Sequence, residues 1–297
     1  MSLTSTSSRS SERGREKYMR EITIGPIQME PKLGDTVYNC DHAVEMIRQA
    51  AQKGAQIVVL PETAITGYDL TLYDQQAFYD MAETLEGRTV TRLRETAREL
   101  GVYIVAGMAL RTDTPPVMDN AMVFINDDGT LQETYSKNHL FGGEKAYFRK
   151  QDRFPVYETK YGKVGLLCCY DANFPEPARL LTLKGAELIL HAATWRREDE
   201  DVWHLMLPVR AAENTVFFAS ANTVGQAPSR YTFGRCKVIN PRGIVLAESG
   251  MQREEVLVAT IDLDQIAEWR QEMLYLPDLN PTIFRQLAEE YETFSRQ

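Results

Sequence analysis

Cysteine is scarce in this chain, with four in 297 residues, at positions 40, 168, 169 and 236. Their spacing fits no zinc pattern. Adjacent cysteines on a strand point in opposite directions and make a poor disulfide. Free thiols in a reducing, cytoplasmic setting are therefore expected. Histidine is equally sparse, and the four at 42, 139, 191 and 204 lack ligand spacing such as His-Glu-x-x-His. That argues against a metallohydrolase, and no metal or organic cofactor is expected. No uninterrupted apolar run reaches the roughly 18 residues of a membrane-spanning helix, so no membrane partner is expected. Positive charge is also in deficit. The formal net charge of −9 would repel phosphates and argues against nucleic acid as a partner.

The N-terminus lacks an apolar segment. Met1 to Arg20 is rich in serine and arginine, with Ser5, Ser7, Ser8, Ser10 and Ser11 set around Arg9 and Arg13. Without an apolar h-region it is not a secretory signal, and Glu12 and Glu16 weaken a transit-peptide reading. Residues 1–20 are expected to be a disordered tail. No Gly/Pro/Ser linker and no internal repeat divides the remainder, so residues 21–297 are expected to form a single domain.

What is present is an alternation. Ile22 to Met29, Gln56 to Leu60, Val102 to Leu110 and Ala121 to Asn126 read as strands. Cys40 to Lys53, with Asn39 as N-cap and Gly54 as stop, and Arg88 to Leu100, closed by Gly101, read as helices. The second half repeats the habit. Strands are expected over Lys163 to Cys169, Glu187 to Ala193 and Val216 to Asn222, then in three β-rich runs up to Ile261. Helices are expected over Pro175 to Lys184, Asp201 to Asn214 and, last, Asp264 to Gln271. The class is α/β, with helices covering sheets.

Three polar residues end strands, where ligands gather in such sheets. Glu62 closes the run from Ile57, Lys137 closes Leu131 to Lys137, and Cys169 closes the run from Val164. Each is ordinary alone: a glutamate or lysine after a strand is commonly a solvated loop residue, and a cysteine in an apolar strand is commonly a small hydrophobe. Together they offer a base, an ammonium and a thiol.

Their local contexts resemble the nitrilase superfamily, the carbon–nitrogen hydrolases, over Glu21 to about Phe284. Leu60-Pro61-Glu62-Thr63 with Thr66-Gly67-Tyr68, then Tyr135 to Phe141, then Gly165 to Glu176 are similar to the family's three catalytic segments. Arg210 to Asn214 and Asn222 to Gly225 are similar to two further blocks, all in the family's order. The resemblance implies a four-layer α-β-β-α sandwich assembled as a homodimer or larger oligomer. It implies Cys169 as nucleophile, because that residue precedes Tyr170-Asp171, while Cys168 would face the opposite side as core. It further implies Glu62 as base, Lys137 and the Tyr170 backbone N–H as oxyanion donors, and Glu144 as a second glutamate. Tyr68, Asn173 and Trp195 are candidate pocket residues.

The branch is read from the same segments. Nitrile-cleaving relatives carry Trp-Glu after the nucleophile, and N-carbamoyl amino acid relatives often carry arginines; here Tyr170-Asp171 and Ala172-Asn173 stand in those places. An amidase acting on a small amide is expected. An N-carbamoyl amine hydrolase or a nitrilase is the alternative within the class, and a non-catalytic binding protein the alternative outside it. Arg196, Arg197 and the acidic run Glu198 to Asp201 read as a solvated rim that could select a charged substrate.

Overall fold

The computed structural model describes residues 20–296. The expected N-terminal tail lies outside the described residues except for Arg20, whose guanidinium meets Asp264 at 2.7 Å and Glu187 at 2.8 Å.

The first half of the chain runs β1 (Glu21–Gln28), α1 (Thr36–Gln52), β2 (Ile57–Val59), α2 (Gln75–Met81), α3 (Arg88–Leu100), β3 (Tyr103–Arg111), β4 (Met118–Ile125) and β5 (Tyr135–Ser136). The second half runs β6 (Val156–Glu158), β7 (Lys163–Cys168), α4 (Pro175–Leu183), β8 (Leu188–Ala193), α5 (Glu200–Asn214) and β9 (Phe217–Asn222). A hairpin, β10 (Val224–Ala227) and β11 (Arg230–Phe233), leads into β12 (Lys237–Ile239) and β13 (Val245–Glu248). Finally β14 (Glu255–Val256) and β15 (Ala259–Asp262) return to the first sheet, followed by α6 (Gln265–Glu272) and α7 (Pro281–Ser295).

Two sheets result. The first has the order β14-β1-β2-β3-β4-β5 with β15 also paired to β1, and the second has the order β13-β12-β9-β8-β7-β6. Their centres, β1-β2-β3 and β7-β8-β9, are parallel. Every residue of β2, β4, β8 and β9 is buried, as expected of strands covered on both faces. The sheets pack face to face, with β2 and β3 against β8 and β4 against β7. Val90, Leu93 and Ala97 of α3 join Ala43 and Ile47 of α1 over the first sheet, and Leu181 of α4 and Leu207 of α5 cover the second. The four layers are α-β-β-α. This architecture brings the carboxyl ends of β2, β7 and β8 to one place.

Several boundaries differ from the sequence reading. Helix α1 starts earlier, capped by Asp35, whose carboxylate accepts the Tyr38 N–H. Asn39 is instead buried and bonds the backbone of Lys32 and Ile65. The strand expected over Leu131 to Lys137 is reduced to two residues plus an isolated bridge from Leu131 to Ile125. Strand β7 stops at Cys168, because Cys169 turns into a left-handed backbone conformation (φ 44°). Helices α2 and α7 were not expected. The second carries its own start signal, Asn280 capping Thr282 N–H with Pro281 at the first position.

Candidate active site

Glu62 follows β2 and is fully buried. Its backbone lies so close to Gly107 of β3 that a Cβ there would fall 2.5 Å from the Glu62 Cα. No other residue fits at 107 without moving Glu62. Its Oε1 accepts from Lys137 Nζ (2.7 Å) and Asn120 Nδ2 (2.7 Å), and its Oε2 accepts from the Thr194 N–H (2.9 Å). Burial pushes this carboxyl up, but the Lys137 charge and these hydrogen bonds outweigh it and hold the pKa at about 2.

Lys137 follows β5, and its ammonium also donates to Glu144 Oε1 at 2.8 Å. Burial disfavours its charge, yet the two carboxylates reverse that and raise its pKa. Glu144 sits in a short 3-10 turn, Gly142–Ala146. It accepts from the Tyr68 hydroxyl (2.8 Å) and the Phe141 N–H (2.7 Å). Burial, and then the charge of Glu62, raise its pKa despite Lys137. Two carboxylates thus share one ammonium in a site removed from water.

Cys169 opens the 3-10 turn Cys169–Asn173. It lines the same cleft as Glu62, Lys137 and Glu144. Desolvation, and then the Glu62 charge, push its pKa up. The turn is held from several sides. The Cys169 carbonyl accepts from His191 Nε2 (3.0 Å), while His191 Nδ1 faces Ser220 Oγ at 2.7 Å. Arg210 donates to the carbonyls of Ala172 and Asn173, both at 2.9 Å. Asp171 accepts from the Tyr135 hydroxyl and from both the N–H and the Nδ1 of His139.

Cys168 does not behave as strand alternation suggests. It is buried as expected, but its thiol lies 3.5 Å from Glu62 Oε1 and 3.6 Å from Asn120 Oδ1. Glu62 therefore has the Cys168 thiol against it from within the core, and Cys169 beside it in the cleft.

The cleft encloses about 400 Å³, including its open mouth, and is lined by Glu62, Lys137, Glu144 and Cys169 together with Tyr68, Tyr170, Asn173, Trp195 and Arg230. All the residues singled out from the sequence therefore meet in one place. Trp195 serves both core and pocket, being buried while its Nε1 donates to the Asp199 carbonyl. Asn120, Thr194 and His191 escaped the sequence reading. Their one signal was a polar residue in or next to an otherwise buried apolar strand, which is costly unless it is hydrogen-bonded.

A family model, carbon-nitrogen hydrolase, matches residues 23–271. The chain belongs to the carbon–nitrogen hydrolase family. It is 36% identical over 272 residues to a nitrilase of Pyrococcus abyssi, covering 91% of this chain and 98% of that protein. It is 35% identical over 264 residues to the omega-amidase NIT2 of Xenopus tropicalis, covering 85% and 90%. A solved amidase from Nesterenkonia sp. AN1, carrying the acetamide moiety of fluoroacetamide on its active-site cysteine, superposes with a TM-score of 0.77 at 26% identity. That superposition covers 89% of this chain and 96% of the other. The chain is thus a cysteine-dependent carbon–nitrogen hydrolase acting on bonds other than peptide bonds, built on the nitrilase fold.

Proposed function

We propose that this hydrolase is an amidase, converting a small amide to carboxylate and ammonia through a thioester on Cys169. The observation that carries this reading is the meeting of the Cys169 thiol with the Glu62–Lys137–Glu144 triad on one cleft floor. Cys169 Sγ attacks the amide carbon while Glu62 takes the thiol proton. The resting site keeps the thiol protonated and Glu62 ionised, so transfer accompanies attack. As negative charge grows on the carbonyl oxygen, the Lys137 ammonium and the Tyr170 N–H turn to it, each such donor being worth about 3–4 kcal/mol. Lys137 then no longer neutralises Glu62, whose basicity rises when it is needed. Glu62 returns the proton to the departing nitrogen, the C–N bond breaks and ammonia leaves. Water, deprotonated by Glu62, cleaves the thioester and frees the acid and the thiol. Glu144 anchors Lys137 and, through Tyr68, the cleft wall. No step uses a metal or cofactor.

The amide, rather than nitrile, reading is supported by Tyr170-Asp171 after the nucleophile and by the omega-amidase relative. Free cysteines support a cytoplasmic enzyme. A homo-oligomer is supported by apolar side chains left uncovered on α5 and α7, including Leu205 (60% exposed) and Phe294 (72% exposed). The test is ammonia release from short amides and from N-carbamoyl amines by wild type and Cys169→Ala, with carbon dioxide followed alongside. Ammonia alone, lost in the variant, supports the amidase. Equimolar carbon dioxide would make it an N-carbamoyl hydrolase instead.

A further inference from the structure

The cleft holds three cations, and two are already committed. Lys137 is shared by Glu62 and Glu144, and Arg196 is paired with Asp199 at 2.5 Å. Arg230, on β11, makes no ion pair among the described residues. Its Nη1 donates to the Thr194 carbonyl at 3.0 Å, its guanidinium lies 4.1 Å from the centre of the Tyr68 ring, and its Nε is buried without a partner. A half-buried guanidinium left with unused donors beside a reactive centre is poised to fork onto an anion.

The arginine is also held in place. The preceding residue, Ser229, donates its N–H and hydroxyl to Asp69 at 2.9 and 2.8 Å, which ties the β10–β11 hairpin to the loop carrying Tyr68. Thr232, two residues on, bridges to Arg196. The guanidinium therefore costs little further ordering when a ligand binds.

We infer that Arg230 selects amides whose far end carries a carboxylate, that is, monoamides of short dicarboxylic acids. This rests on the amidase reading above. An amide carbonyl seated between Cys169 and Lys137 leaves the space along Tyr68, Trp195 and Arg230 for the acyl chain. Glu62 and Glu144 repel a carboxylate from the reacting end, while Arg230 attracts it to the other. The charge asymmetry thus fixes which end of the substrate meets the thiol. The small cleft favours a compact planar anion that accepts two parallel N–H bonds.

The experiment compares succinamate with isocaproamide, in which an isopropyl group replaces the carboxylate, in wild type, Arg230→Met and Arg230→Lys. In Arg230→Met, kcat/KM for succinamate is expected to fall by roughly 10- to 100-fold more than for isocaproamide, mostly through KM. Arg230→Lys should restore part of that difference. An equal fall on both amides would mean that Arg230 only props Tyr68, and would overturn the inference. Succinamate affinity, measured by calorimetry on the same proteins carrying Cys169→Ala, gives a readout independent of turnover. It should weaken by about tenfold or more in Arg230→Met. If neither amide releases ammonia, the amidase reading fails, and an unchanged succinamate affinity would separately sink the role of Arg230.

Discussion

His191 donates its Nε2 hydrogen to the carbonyl of Cys169 across 3.0 Å, and thereby supports the left-handed turn that presents the thiol. The same ring lies between the second sheet and α5, against Trp195, Trp203 and Phe218. A non-glycine residue at positive φ is strained by about 1–3 kcal/mol and persists only when its surroundings enforce it. Replacing His191 by alanine should lower kcat by tenfold or more while the protein remains folded at a reduced Tm. A kcat equal to wild type would show that the turn stands without the ring.

The imidazole also makes a pH prediction. Burial lowers its pKa to about 4, against 6.5 when exposed. Between those values the unfolded chain binds a proton that the native protein does not. The neutral ring's contribution is therefore complete above about pH 6.5 and is lost as the pH falls towards 4. The stability difference between wild type and His191→Gln should shrink over that window, by up to about 1.4 kcal/mol per pH unit. Urea unfolding of both proteins across the window checks it.

Asn120 donates to Glu62 at 2.7 Å and, more loosely, to Glu144 at 3.3 Å. Asn120→Asp would place a third carboxylate on one ammonium. Repulsion in a buried site should cost several kcal/mol and most of the activity. It should also leave a carboxyl of strongly raised pKa, so that stability relative to wild type recovers on acidification. Melting temperatures at neutral and mildly acidic pH decide this.

Cys168 and Cys169 should separate cleanly despite sharing Glu62. Cys168→Ala removes a buried sulfur and should cost about 1 kcal/mol with turnover retained. Cys169→Ala and Cys169→Ser should fold as wild type and lose turnover. Thermal melts and ammonia release on the three variants test both halves of the statement.

Much of this was legible in the sequence, for physical reasons. Glu62, Lys137 and Cys169 end strands, and the architecture gathers strand ends. Gly101 closes α3 in the left-handed conformation that glycine tolerates, so that boundary matched. The failures are equally specific. The opposed facing of Cys168 and Cys169 followed from alternation, which holds only while the backbone stays extended; Cys168 is extended, but Cys169 turns at φ 44°. Asn120 and His191 looked like strand residues because their partners, Glu62 and the Cys169 carbonyl, lie 58 and 22 positions away. Helix α7 was missed although Ile283, Phe284, Leu287, Tyr291 and Phe294 recur at helical spacing after Asn280-Pro281, and that stripe packs on none of the described residues closely enough to be buried.

The account turns on a covalent intermediate at one sulfur. The most direct measurement is acid-quenched mass spectrometry of the enzyme during amide turnover, with the site assigned by fragmentation and Cys169→Ala run beside wild type. The account predicts an acyl adduct on Cys169 in wild type and none in the variant, although Cys168 is still present. An adduct on Cys168, or steady turnover by Cys169→Ala, would contradict it.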